Sequence, residues 1–337
     1  FAGARGIAEF QPYEAFGEIR SSGSRPTYVR FGRQAVVWGE GRLIGNADFS
    51  PSGRWLDALR THLAIGNFDF EALAAVLEVP RPIGAGFGDR AGSSSSGVQL
   101  YGVTAKWTIH PMLKLELFGL ARVARSSGED LDGSRFQLAR AVGERYTGAL
   151  RVSGACECGW DYGAEGAYQF GSADTITFTG QDISAWAAEA HVQKRVDQLV
   201  LTPTFRVNAS YASGDDGKGG TYKQFDPLLA DPQRFHGQMD LFAWSNQIDV
   251  GGKISVVPAT DTTLGFEYRY AQLAQASGDW VGSYFTSAGS QGVNAKDNEL
   301  WHELDVGFAW RAWIPFDLRA GWSGRLIGDG AKRMRER

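Results

Sequence analysis

Between residues 263 and 271 the chain alternates without a break. Leu264, Phe266, Tyr268 and Tyr270 share one side, and Thr263, Gly265, Glu267, Arg269 and Ala271 the other. A period of two places those sets on opposite faces of a β-sheet. The same alternation predicts strands at 13–20, 27–38, 55–65, 68–79, 99–109, 113–124, 145–152, 160–170, 183–193, 199–211, 247–256, 263–271, 300–311 and 316–322, about fourteen in all. Most are close to the ~9–11 residues that cross a bilayer at a tilt. Pro203 is the one proline inside a predicted strand, where it would remove a ladder hydrogen bond.

The links between these strands sort by length. Short ones fall at 21–26, 66–67, 110–112, 153–159, 194–198, 258–261 and 312–315, and long polar ones at 39–54, 80–98, 125–144, 171–182, 212–246 and 272–299, in strict alternation. Soluble sandwiches do not sort their connections this way, and no blade-length repeat supports a propeller. A membrane barrel does sort them, with tight periplasmic turns on one rim and long external loops on the other. The pattern therefore predicts an all-β, transmembrane, antiparallel up-and-down barrel, one domain over residues 1–337. The first strand enters a short turn and the last leaves one, so both chain ends are expected on the external side, with further strands beyond each. No leader precedes Phe1, as expected of a processed chain or a fragment.

Composition changes this picture little. No apolar run approaches the ~18 residues of a membrane helix, but alternating strands average their lipid face away in any hydropathy window. A net charge of -4 argues against a nucleic-acid binder. The expected surroundings are membrane lipid and lipopolysaccharide, in the outer membrane of a Gram-negative bacterium. Among the bases, 26 are Arg and 8 are Lys, which favours planar forks suited to carboxylate and phosphate.

The faces assign the chemistry. Charges disfavour the lipid side, where Arg or Lys at the midplane costs ~2–4 kcal/mol. Alternation sends Arg122, Arg151, Arg206, Arg269, Arg311, Arg319, Glu165 and Glu267 inward, within a lumen whose two signs nearly balance. Cross-strand ion pairs explain most such charges, and a few unpaired Arg would form a conducting ring for anions. No enzyme motif appears: the five His lack H-E-x-x-H spacing, and there is no G-x-S-x-G or P-loop. Neither enzyme activity nor a cofactor is expected. Asp215 and Asp216 suit Ca²⁺ only weakly, since the full EF-hand pattern is missing, and a solvated acidic turn is expected there. Cys156 and Cys158 form a lone C-x-C in a turn, compatible with a local disulfide but expected to be two incidental cysteines.

Residues 31–60, FGRQAVVWGEGRLIGNADFSPSGRWLDALR, resemble the alginate-export family of outer-membrane barrels. Similar segments are YGAEGAYQFG at 162–171, the loop from YASGDD at Tyr211 through FDPLLADPQRFHGQMDLFAWSN, and ELDVGFAWRAWIPFDLRAGWS at 303–323. The resemblance implies a channel of eighteen strands in the intact protein, passing an anionic, alginate-like saccharide through an arginine-rich constriction. By motif, Arg33 and Arg54 are the first constriction candidates and Arg42 and Asp57 the next. Alternation puts Arg33 with Val29 and Phe31 on the outer face, so its lumen role requires a bulge near Gly32. The competing functions are a general or other-substrate porin, and a structural barrel that docks a partner protein through the 212–246 loop. In that loop Tyr222, Phe225, Phe235, Phe242 and Trp244 are expected to fold over the pore as a lid.

Overall fold

A computed structural model describes residues 13–47, 53–78, 98–124, 143–173, 180–231, 234–283, 287–289, 292, 295–313 and 316–335. The wall consists of β1 (Ala15–Arg20), β2 (Tyr28–Gln34), β3 (Leu56–Ile65), β4 (Phe68–Glu78), β5 (Val98–His110), β6 (Leu113–Ala124), β7 (Gly143–Ala155), β8 (Trp160–Ala173), β9 (Gln181–Arg195), β10 (Thr204–Ala212), β11 (Gln247–Ala259), β12 (Thr262–Gln272), β15 (Glu299–Trp313) and β16 (Phe316–Ile327). Two short strands, β13 (Trp280–Val281) and β14 (Ser287–Gly289), pair with each other inside the link before β15. Among the described residues a single helix, α1 (Asp329–Arg335), follows β16.

The fourteen wall strands form one antiparallel sheet in chain order. Among the described residues β1 and β16 each pair on one side only. Each predicted strand is present, and most extend beyond their expected ends at the external rim. Pro203 does not interrupt a strand after all: β10 starts at Thr204, and the Pro203 carbonyl accepts the Val196 amide within the preceding turn. The chain end also differs from expectation, because β16 continues to Ile327 and α1 then packs beside Leu300 and Trp301. Most of the long links at 80–98 and 125–144 lie outside the described residues.

The two faces separate as alternation requires. Phe31, Leu59, Val103, Leu117, Phe170, Val207, Phe266 and Trp322 are exposed on the outer side. A band this large on a single protein is a lipid surface. Aromatic stacks mark its two borders: Phe68 lies on Trp107 near the short turns (5.4 Å), and Trp186 lies on Tyr211 near the long loops (4.3 Å). Such rings place an apolar body in hydrocarbon and a polar tip in the headgroup layer.

The turn between β7 and β8 corrects one expectation. Cys156 and Cys158 are joined as a disulfide. The cross-link closes a loop of only two residues' separation, so chain entropy gives it a small effect, about 1–2 kcal/mol. The double change Cys156→Ser/Cys158→Ser should lower stability by no more than that, measured as the urea midpoint of the refolded barrel.

Candidate functional site

Two links fold inward into the external half of the lumen. The segment after β2 and the segment after β10 meet along a short parallel bridge at Ile44 and Leu229. The Gly45 amide donates to the Leu229 carbonyl (2.8 Å), the Leu229 amide to Leu43 (3.0 Å) and the Asp231 amide to Gly41 (2.8 Å). Asp231 Oδ1 accepts the Ala47 amide (2.7 Å). A Cβ on Gly45 would collide with that carboxylate, which is why glycine stands there. Around this seam Val36, Trp38, Leu43, Ile44, Phe225, Leu228 and Trp244 form a core with the inward residues of the upper strands, including Leu56, Leu100, Phe118, Ala167 and Ala185. The inner wall is thus apolar where the links pack and charged elsewhere.

Beneath the seam lie two ion clusters. In the first, Arg151 on β7 donates to Glu40 (2.6 Å) and Glu116 (3.0 Å), and its Nε lies 4.0 Å from Glu165. Arg42 Nη2 bonds Glu189 Oε2 (3.1 Å), while the guanidinium stacks on Phe235 at 4.0 Å. Burial acts to raise the Glu40 pKa, but the charge and hydrogen bond of Arg151 outweigh it and hold this carboxyl below its usual range. In the second cluster, Arg269 on β12 donates to Asp249 (2.5 Å) and Glu267 (2.6 Å). His236 Nδ1 lies 3.3 Å from Asp249 Oδ2. Burial lowers the His236 pKa, only partly offset by Asp249, so the ring is neutral at neutral pH. The Met239 and Gln238 amides donate to Glu303 (2.9 Å) and Asp305 (3.1 Å) on β15, pinning the same link to the strand beside β12.

The predicted residues divide by this geometry. Arg42, Arg122, Arg151, Arg206, Arg269, Glu165 and Glu267 face inward. Arg54 is buried too, but as a staple: its Nη1 donates to the carbonyls of Gly45, Leu229 and Ala230. Arg122 stands in register with Arg145, whose Nε lies 3.6 Å from Asp226 of the inserted link. Arg311 and Arg319 are exposed near the turn into the edge strand, both against Asp317.

Arg33 and Asp57 are not brought into the lumen. Pairing of β2 with β3 runs through Gly32 without a register shift, so Arg33 keeps the phase of Val29 and Phe31. There it forms a two-pronged ion pair with Asp57 (3.0 and 2.8 Å) on the outer face. The positive φ of Gly32 (115°) bends the backbone without changing that phase. Asp215 accepts the amides of Gly217 and Lys223, and Asp216 that of Lys218, so both carboxylates serve the turn. Lumen residues that motif reasoning missed are Glu40, Asp231 and Asp226, all on the inserted links. No periodic signal marks a loop residue, and only the Pro-flanked LLADP run hints at a fixed turn around Asp231.

An all-antiparallel wall with a lipid-facing outer band and loops folded into its interior defines an outer-membrane β-barrel channel. OccK8 (OprE) of Pseudomonas aeruginosa shares the fold at a TM-score of 0.54 and 11% identity, over 92% of this chain and 75% of that one. OccAB2 of Acinetobacter baumannii matches at 0.53 and 12%, over 94% and 72%. Pseudomonas aeruginosa OpdK, solved with vanillate, matches at 0.53 and 10%, over 89% and 71%. No curated protein sequence is similar to the chain. The chain belongs to the alginate export family, "Alginate export", whose profile matches residues 8–324. Its place is therefore the Gram-negative outer membrane.

Proposed function

We propose that the protein is a passive, anion-selective channel for an acidic, alginate-like saccharide, and that it acts as a conduit, not a catalyst. The observation that carries the selectivity is a set of unpaired cations. Lys106, Lys114 and Arg206 project inward near the short turns, and among the described residues none of them has a carboxylate oxygen within salt-bridge distance, although Lys106 stands in register between Asp69 and Glu116. Fixed positive charge that is not held in a close ion pair attracts mobile anions and repels mobile cations. Family membership supports the saccharide class. The inserted links leave a narrowed external half, suited to a chain threaded end-on.

In a salt gradient across a planar bilayer the protein should show an anion-selective reversal potential, and uronate oligomers should block the current. Replacing Lys106, Lys114 and Arg206 together by Gln should move the reversal potential toward the cation side. Cation selectivity in the unaltered protein, without uronate block, would overturn the proposal.

A second reading, a general or other-substrate porin, draws support from the ion pairs of Arg42, Arg151 and Arg269, which leave most lumen guanidiniums neutralised locally. Graded neutral sugars in a liposome-swelling assay separate the two: free passage without uronate block favours this one. Docking of a partner through the 212–246 link is the weakest of the three. Tyr222, Phe225, Phe242 and Trp244 are buried inside the barrel and offer nothing to a partner.

A further inference from the structure

His191 on β9 sits in an excess of negative charge. Among the described residues, the carboxylates of Glu40, Glu116, Asp161, Glu165 and Glu189 gather in this part of the lumen with the guanidiniums of Arg42 and Arg151 among them and Lys106 opposite Glu116. Glu165 and Glu189 stand directly opposite each other across β8 and β9. Like charges in that position repel unless a cation bridges them. Arg42 takes only one oxygen of Glu189, and the other, Oε1, is buried without any hydrogen-bond partner. His191 Nδ1 is buried and unpartnered as well, 3.7 Å from Glu189 Oε2. The other ring nitrogen, Nε2, is 3.9 Å from Glu40 Oε1 and 3.6 Å from Asp161 Oδ1.

One donor atom from each of Glu40, Glu189 and His191 lies within 4.8 Å of the other two. Ligands around a tetrahedral ion at 2.0–2.2 Å stand about 3.4 Å apart, so small side-chain rotations close the set. One imidazole nitrogen with carboxylate oxygens suits a first-row divalent transition metal better than Ca²⁺ or Mg²⁺, which favour oxygen alone. The surroundings fit this use. Gly163 is in register with His191, and a Cβ there would press on the ring. Arg42 and Arg151 each hold an oxygen of Glu189 and Glu40, as outer partners orient metal-binding carboxylates.

We propose that Glu40, Glu189 and His191 bind a divalent first-row transition-metal ion. Glu40 belongs to the inserted segment and the other two to the wall, so the ion ties the segment after β2 to β9. The site is independent of which solute the channel carries.

The probe is Zn²⁺, titrated calorimetrically into the refolded full chain after EDTA treatment and dialysis. The expected result is saturable uptake of about one ion per chain that excess Mg²⁺ does not displace. His191→Ala and Glu40→Gln should each weaken it by about a hundredfold, and His110→Ala, at the far end of β5, should leave it intact. If His191→Ala fails to refold, judged by loss of the heat-dependent gel shift, Glu40→Gln decides, since it alters a link and not the wall. Absence of saturable uptake, or uptake that survives Glu40→Gln, overturns the proposal.

Discussion

Replacing residues 214–245 with a short Gly-Ser connection should raise single-channel conductance severalfold while leaving the barrel assembled. The ends of the deletion lie side by side, because Ala212 pairs with Gln247 across β10 and β11. A few residues therefore close the gap without strain on the wall. Wall strands hold each other through backbone ladders in which this link has little part. What it does hold is the segment after β2. Leu229 and Ala230 supply carbonyls to Arg54, Asp231 accepts from Ala47, and Phe225 and Leu228 bury Ile44 and Leu43. Loss of burial for a single large apolar side chain costs about 1.5–3 kcal/mol. Ile44, Leu43 and Trp38 all lose cover, so the second segment should loosen too and become open to protease. Unchanged conductance would show that ions bypass both links, and the view of them as the narrowing element would fail.

The wall was legible in the sequence because its physics is periodic. A lipid outside and water or packed side chains inside act on alternate residues of every strand, and turn length reports which rim a link belongs to. The same rule placed Arg151, Arg206, Arg269, Glu165 and Glu267 correctly on the inner face. Where alternation and motif disagreed, at Arg33, alternation prevailed: the register continues through Gly32 and the pair with Asp57 stays outside. The interior was not legible, for a physical reason. Its contents are loops held by single contacts between residues far apart in the chain, such as Arg42 with Glu189 and Asp226 with Arg145. Such contacts leave no period. The motif resemblance did mark Arg42 and Arg54, but it described them as lining a pore, whereas one is a buried counter-ion and the other a staple between two links.

Arg42→Met should destabilise the refolded protein by about 3–5 kcal/mol, the cost of leaving buried charge without its partner. Arg42 is 4% exposed and Glu189 1%, so water cannot replace the lost guanidinium. Its removal leaves Glu189 and Glu165 facing each other across two strands with Glu40 nearby. It also removes the cation stacked on Phe235, one of the contacts by which the two inserted links recognise each other. The size of the effect distinguishes charge from packing, because Met retains most of the apolar stem. Adding Glu189→Gln to Arg42→Met should then recover a large part of the loss, since the amide needs no counter-ion. Urea midpoints of the wild type, the two single variants and the double variant form the required cycle. A single Arg42→Met variant as stable as wild type, or a double variant no better than the single, would mean that the carboxylates are satisfied without Arg42. The packing of the links alone would then hold them in the lumen.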